Sequence, residues 1–257
     1  MAKRAILTLA TPLPSDDETG ASAKRVELES PSRTLIERAY VQLRDDIVEG
    51  RLAPGTKLRV EHLKDRYDVG AGTLREAITR LVSDALAVAE GQRGFRVAPI
   101  ALEDLEGLTQ LRVHIEIDAL RRSIHAGDAA WRAQAHKGFD ELSAVEQPLH
   151  PKDRLRWEQL NTRFHEALIA SGASAWTFKV LRLLSRHSER YRRYTIALPH
   201  RGRDVHAEHR EIFERAMAGQ DARAALALEA HIRTTLDVLK RAFRDGVQVF
   251  ERTDPAA

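Results

Sequence analysis

Residues 71–98, AGTLREAITRLVSDALAVAEGQRGFRVA, read as a helix followed at once by a short hairpin. Leu74, Ile78, Leu81 and Val82 recur at the three- and four-residue spacing of a helix with one buried stripe. Gly72, Thr73, Arg75, Glu76, Thr79 and Arg80 fall outside that stripe. Strands are expected over 86–90 and 95–98, joined by Gly91-Gln92-Arg93-Gly94, with glycine at both shoulders and a cation at the tip.

Upstream, Thr34-Leu35-Ile36-Glu37 is a capping-box pattern, and Ile36, Tyr40, Leu43 and Ile47 continue it at helical spacing up to Gly50. Pro54-Gly55 turns the chain, a short helix is expected over 60–67, and Asp68-Val69-Gly70 leads tightly into the third helix. Three helices, a tight second turn and a basic-tipped hairpin form the order of a winged helix-turn-helix, whose third helix enters the major groove of double-stranded DNA. The open N–H groups of its first turn, at Gly72 and Thr73, suit a phosphate. Arg75 suits phosphate or guanine, and Arg93 and Gly94 on the wing suit phosphate or the minor groove. The alternative is an ordinary three-helix domain on which Arg75 pairs with a nearby carboxylate.

The chain has 257 residues, 43% hydrophobic and 31% charged, enough for two domains with separate cores. A net charge of +3 tolerates nucleic acid as a partner without arguing for it. The sequence contains no cysteine, which excludes disulfides and thiolate sites. No apolar run is long enough for a membrane span, and Met1 to Ala10 lacks the flanks of a signal peptide, so a cytoplasmic protein is expected. Residues 1–32 and 251–257 read as tails, 33–99 as the winged domain and 100–250 as an all-helical domain. The expected fold is mostly α. Helices are expected over 101–126, 128–146, 151–171, 174–197, 202–219 and 221–247, separated by Gly127, Pro148 with Pro151, Gly172, Pro199 with Gly202, and Gly219. Such short connections suit an antiparallel bundle.

Polar residues on the apolar stripes of this bundle mark its chemistry. Arg112 lies among Leu105, Leu108, Ile115 and Ala119; a buried guanidinium needs an anion, either a Glu of a neighbouring helix or a carboxylate ligand. Asn161 and His165 share one side of a helix with Trp157, Leu160, Phe164 and Leu168. His209 and His231 sit in the apolar stripes of two later helices. A single inward histidine is ordinarily a core residue. Three with an asparagine, if they converge, supply three imidazoles and one oxygen for Zn, Ni or Mn. His206, one turn before His209, is a weaker candidate ligand. Arg182, Arg186 and Arg190, with Tyr191 and Tyr194, read as a solvated face, or alternatively as a second clamp for a diacid.

Residues 35–99 resemble the DNA-binding domain of GntR-family transcription regulators. The match runs through Ile47-x-x-Gly50-x-Leu52-x-Pro54-Gly55-x-x-Leu58, Leu63, Val69, Leu74-Arg75-Glu76-Ala77, Leu81 and Arg93-Gly94-x-x-Val97. Family members usually begin the recognition helix with Ser or Thr, Arg, then Thr or Ser, where this chain has Gly70-Ala71-Gly72. Residues 101–247 resemble the FCD domain of the FadR branch, through Leu111-Arg112-x-x-x-Glu116, Asn161-x-x-Phe164-His165, His209 and His231. The resemblance implies that Asn161, His165, His209 and His231 bind a divalent metal, that a small organic acid sits on the metal and on Arg112, and that the chain forms a homodimer on a two-fold operator. Many relatives carry Asp in place of Asn161, which implies a lower metal affinity here. Tyr67-Asp68-Val69-Gly70 and Gln92 to Val97 are also similar to glutarate-responsive members of the branch, implying a short dicarboxylate such as glutarate.

The expected function is therefore a DNA-binding repressor released by a small carboxylate effector. Two other readings stay open. One is a metal-dependent hydrolase, which lacks a carboxylate general base in the Asn161/His165 element. The other is an acyl-CoA-responsive regulator, which the histidine set disfavours.

Overall fold

The computed structural model describes residues 34–147, 149–197 and 203–245. The tails expected at 1–32 and 251–257, and the breaks at Pro148, Pro199 and Gly202, lie outside the described residues. The winged portion comprises α1 (Leu35–Val48), α2 (Val60–Tyr67), α3 (Ala71–Ser83), β1 (Ala87–Ala89) and β2 (Phe95–Val97). Thr34 caps α1 by accepting from the Glu37 backbone N–H at 3.2 Å. The reciprocal half of the capping box does not form, because the Glu37 carboxylate pairs instead with Arg80 of α3 at 2.6 Å. Gly50 closes the α1 end at φ +70°, a conformation that other L-residues avoid. β1 and β2 pair antiparallel, Ala87 opposite Val97 and Ala89 opposite Phe95. The turn between them carries a short 3-10 helix, Gly91–Arg93.

Leu43, Leu74, Ala77, Ile78, Leu81, Leu86 and Val97 are fully buried and form the core of this portion. One acid is buried with them: Asp46 accepts from Arg51 and Arg66, each at 2.6 Å, and from the Tyr67 hydroxyl at 2.5 Å. Three donors compensate that carboxylate, as burial of a charge requires, and they tie α1 to α2.

The second portion is helical, as its sequence periodicity predicts. It contains α4 (Leu102–Ala126), α5 (Ala129–Glu146), α6 (Arg154–Leu168), α7 (Ala175–Ala197), α8 (Val205–Met217) and α9 (Asp221–Arg244). A 3-10 turn, Pro151–Asp153, precedes α6, where the sequence suggested continuous α-helix. Asp128 and Asp204 cap α5 and α8 by accepting from the N–H groups of Trp131 and Ala207. α4 packs against α7 and α9, α5 against α6 and α8, and α8 against α9. Phe164, Leu120, Leu142, Leu168 and Ile212 fill the shared core. The α6–α7 connection presses on α4 at Gly172, whose N–H donates to Ser123 Oγ at 2.7 Å. A Cβ at Gly172 would come within 2.3 Å of the Ala119 carbonyl oxygen, so only glycine permits this approach.

Candidate functional site

α6, α8 and α9 carry the four singled-out residues Asn161, His165, His209 and His231. The candidate ligand nitrogens of His165, His209 and His231 all lie within 4.8 Å of one another. His165 follows Asn161 by one turn of α6, so both face the same side. The Asn161 Oδ1, His165 Nε2 and His209 Nε2 atoms are buried and have no hydrogen-bond partner among the described residues. Buried polar atoms ordinarily find partners, and leaving one unpaired costs about 1–3 kcal/mol. Unpartnered polar atoms of this kind, beside three clustered histidines, suit a cation. Two nitrogens at about 2.1 Å from one ion are at most about 4.2 Å apart, so a small rotation of the imidazoles closes the set. A divalent ion of the Zn, Ni or Mn kind fits three imidazoles and an amide oxygen.

Two of the imidazoles, His209 and His231, are held from behind. His209 shares Glu146 with His206: its Nδ1 lies 2.8 Å from Glu146 Oε1, and His206 Nδ1 lies 3.1 Å from Oε2. The Trp157 indole N–H also donates to Glu146, at 2.8 Å. His231 Nδ1 lies 2.8 Å from Glu208 Oε2, and Arg203 grips Glu208 through two N–H groups at 2.9 and 2.8 Å. Such carboxylates place the proton on Nδ1 and leave Nε2 free to coordinate. Burial, together with the neighbouring imidazoles, Arg112 and Arg192, pushes His165 well below the usual histidine range. Burial, then His209 and Arg203, does the same to His231. Both are therefore neutral at physiological pH, the form that binds a metal. Burial alone would raise Glu146, but His209, Trp157 and His206 together bring it below the usual carboxylate value.

Glu146 and Glu208 escaped the sequence reading. Glu208 adjoins His209 in the chain, which is a usable signal. Glu146 stands 63 positions from His209, and nothing in its neighbourhood reports the pairing. His206 is buried on α8 beside Glu146 rather than in the ligand triad.

Arg112 is buried, as its stripe predicted, but its anion lies on its own helix: Nε donates to Glu116 at 2.7 Å and Nη1 to Ser188 at 3.2 Å. Arg112, Asn161, His165 and His231 open on one cavity of about 390 Å³, also lined by Trp157, Arg192 and Arg203.

Of the cation series on α7, Arg182 lies on an exposed face, as the solvated reading has it, whereas Arg186 and Arg190 turn to the winged portion. Arg182 pairs with Glu166 at 2.6 Å. Arg186 Nη1 donates to Asp84 Oδ2 at 3.3 Å and to the Tyr40 hydroxyl at 3.2 Å, and Tyr40 in turn donates to Asp84. His187 Nε2 donates to the Asp84 carbonyl at 2.9 Å, and Arg190 to the Ala98 carbonyl at 2.6 Å. The Tyr191 hydroxyl donates to the Ala101 carbonyl at 3.1 Å. Arg186, His187 and Arg190 hold the winged portion against the bundle, and spacing along one helix cannot announce a partner from another portion of the chain.

On the winged portion, Gly72 is exposed, Thr73 is half-buried and Arg75 is exposed. α3 begins at Gly70 without a side-chain cap, so its first-turn N–H groups stay open. Among the described residues the Arg75 guanidinium has no carboxylate within 4.0 Å, and Glu61, which pairs with Lys64, lies near enough to feel its charge. Arg93 is exposed and Gly94, at φ +93°, shapes the hairpin end.

Comparison with known proteins follows this division. The sequence model described as bacterial regulatory proteins, gntR family, matches residues 35–97, and the FCD domain matches residues 107–234. The HTH-type transcriptional regulator BphR of Paraburkholderia xenovorans LB400 is 40% identical over 230 residues, 88% of this chain and 93% of its own. The HTH-type transcriptional repressor GlaR of Escherichia coli K12 is 28% identical over 208 residues, 79% of this chain and 94% of its own. Among solved structures, E. coli McbR/YncC superposes with a TM-score of 0.66 at 17% identity, over 82% of this chain and 99% of its own, a likeness of fold.

Proposed function

Since the chain belongs to the GntR family and carries an FCD domain, it is a DNA-binding transcriptional regulator and not an enzyme, and we propose that it is a cytoplasmic repressor released by a small carboxylate. The observation that carries this reading is α7. One side of it, Arg192 and Thr195, lines the cavity, and Ser188 receives Arg112. The other side, Arg186, His187 and Arg190, holds the winged portion. An acid that binds the cavity better in one placement of α7 shifts the DNA-binding equilibrium by that difference in affinity.

In this reading Asn161, His165, His209 and His231 hold a divalent metal, which supplies a Lewis-acidic coordination point for a carboxylate. Arg112 offers its remaining N–H groups to the same carboxylate. Gly72, Thr73 and Arg75 meet the major groove, and Arg93 and Gly94 meet the backbone or minor groove. A homodimer places two such helices on the half-sites of a two-fold operator. The exposed Trp176 and Val180, one turn apart on α7, are candidates for its contact.

Fluorescence anisotropy on DNA from upstream of the protein's own gene tests the function. Binding should saturate, exceed that to random DNA and weaken with salt. Arg75→Ala should weaken it about tenfold or more, the scale of one good base contact. Addition of the effector acid should release the DNA by about tenfold to a hundredfold, an ordinary coupling. If genomic-fragment selection also yields no preferred DNA, the regulator reading fails.

A further inference from the structure

The charges around the cavity constrain what enters it. Each of its three guanidiniums already has a carboxylate of its own: Arg112 with Glu116 at 2.7 Å, Arg192 with Glu158 at 2.6 Å and Arg203 with Glu208 at 2.8 Å. The remaining interior carboxylate is Glu146. The two positive charges of a divalent ion, set against Glu146, leave one positive charge for a ligand. At the rim, Asp204 adds a further negative charge beside the cavity. One carboxylate is thereby matched, while a second finds, among the described residues, no cation that lacks an anion and faces carboxylates instead. An unmatched buried carboxylate is strongly disfavoured.

Part of the remaining wall is apolar, beside the polar Gln147, Thr195, His206 and Thr235. Leu149, Trp157, Val205 and Ile232 line it. The Trp157 N–H is taken up by Glu146, so the indole has only its carbon surface to offer. At roughly 30 Å³ per water molecule in the liquid, a space of about 390 Å³ has more room than a compact diacid fills.

We propose that the effector is a monocarboxylate with an apolar body of about aromatic size, and that the cavity discriminates against short dicarboxylates such as glutarate. This rests on the metal-plus-Arg112 reading and sharpens it. Specificity comes from the prior pairing of the described guanidiniums rather than from a new contact.

The test compares 4-phenylbutyrate with glutarate on the full chain saturated with Zn²⁺, by calorimetry and by release of bound DNA. The expected result is at least tenfold tighter binding of 4-phenylbutyrate, lost when the metal is removed. Glu158→Gln removes the carboxylate hydrogen-bonded to the Arg192 guanidinium, so glutarate affinity should rise at least tenfold in that variant. Glutarate binding as tightly as 4-phenylbutyrate to the native chain, in a metal-dependent way, would overturn the ligand class and leave the metal-plus-Arg112 reading standing. If neither acid binds the Zn²⁺-saturated chain, both are overturned. Should Glu158→Gln not fold, the comparison on the native chain decides alone. A folded Glu158→Gln that gains no glutarate affinity would overturn the charge-matching argument.

Discussion

Glu146 is one carboxylate with three buried partners, Trp157, His206 and His209. Its role is to fix the His209 tautomer, so Glu146→Gln should weaken metal binding by about 10- to 100-fold with the helical content unchanged. Competition against a chromophoric chelator measures this, and unaltered affinity would show that His209 is oriented by something else. Gly50 shows a different residue-scale constraint. Its φ of +70° is costly for any residue with a Cβ, and that Cβ would displace the Arg193 guanidinium. Gly50→Ala should cost about 1–2 kcal/mol, read as a lowered thermal midpoint. The Arg112 stripe and the histidines were legible because a polar residue in an apolar period is a local anomaly. Glu146 was not, because its position in the sequence is unremarkable and only its contacts matter.

At the scale of elements, α7 joins the two portions. Arg190 is buried and donates to the Ala98 carbonyl at the end of the wing. Arg190→Ala should destabilise the protein by about 1–3 kcal/mol by leaving that carbonyl unpaired, measurable by urea denaturation. Asp84→Asn keeps the size of the junction and removes its charge toward Arg186. If α7 transmits the effector signal, this variant should bind DNA but respond less to the acid; an unchanged response would place the coupling elsewhere. The same helix carries Glu189, raised from 4.5 to about 7 by burial and by Glu158 and Asp45, against the opposing Arg192 and Arg154. Between those two values the folded chain holds a proton that the unfolded chain has released. The stabilising contribution of that proton is full below about 4.5 and is lost as pH rises through about 7. Glu189→Gln should therefore raise the melting temperature by a few degrees at pH 8, a shift of order 1 kcal/mol or more, and by less at pH 5. Equal gains at both pH values would rule out titration of Glu189 as the cause. The helix itself was legible from its period, whereas its role was not: Arg186 and Arg190 have the spacing of a solvated face until the winged portion is placed beside them.

For the whole molecule, the proposed operator symmetry calls for two copies. The exposed Trp176, with Lys179 over its ring at 4.8 Å, and the exposed Val180 present apolar surface on α7. Light scattering should give a mass twice the 28.9 kDa of the chain, and Trp176→Glu should shift it toward the monomer and weaken operator binding. A monomeric native protein that still binds a two-fold operator with full affinity would exclude this arrangement. Among the described residues, no helix is long and apolar enough to cross a membrane.

The sequence by itself determined the order and type of the elements and the inward position of Arg112, Asn161, His165, His209 and His231, because helical period and turn chemistry are local. It also carried the family resemblance, which depends on residue types at fixed spacing. Only the tertiary structure decided which histidine faces which carboxylate, that Arg112 is already matched by Glu116, and that the α7 cations grip the winged portion. Those facts depend on helices far apart in the chain meeting side by side, and burial turns each such meeting into a choice between a matched charge and an expensive unmatched one.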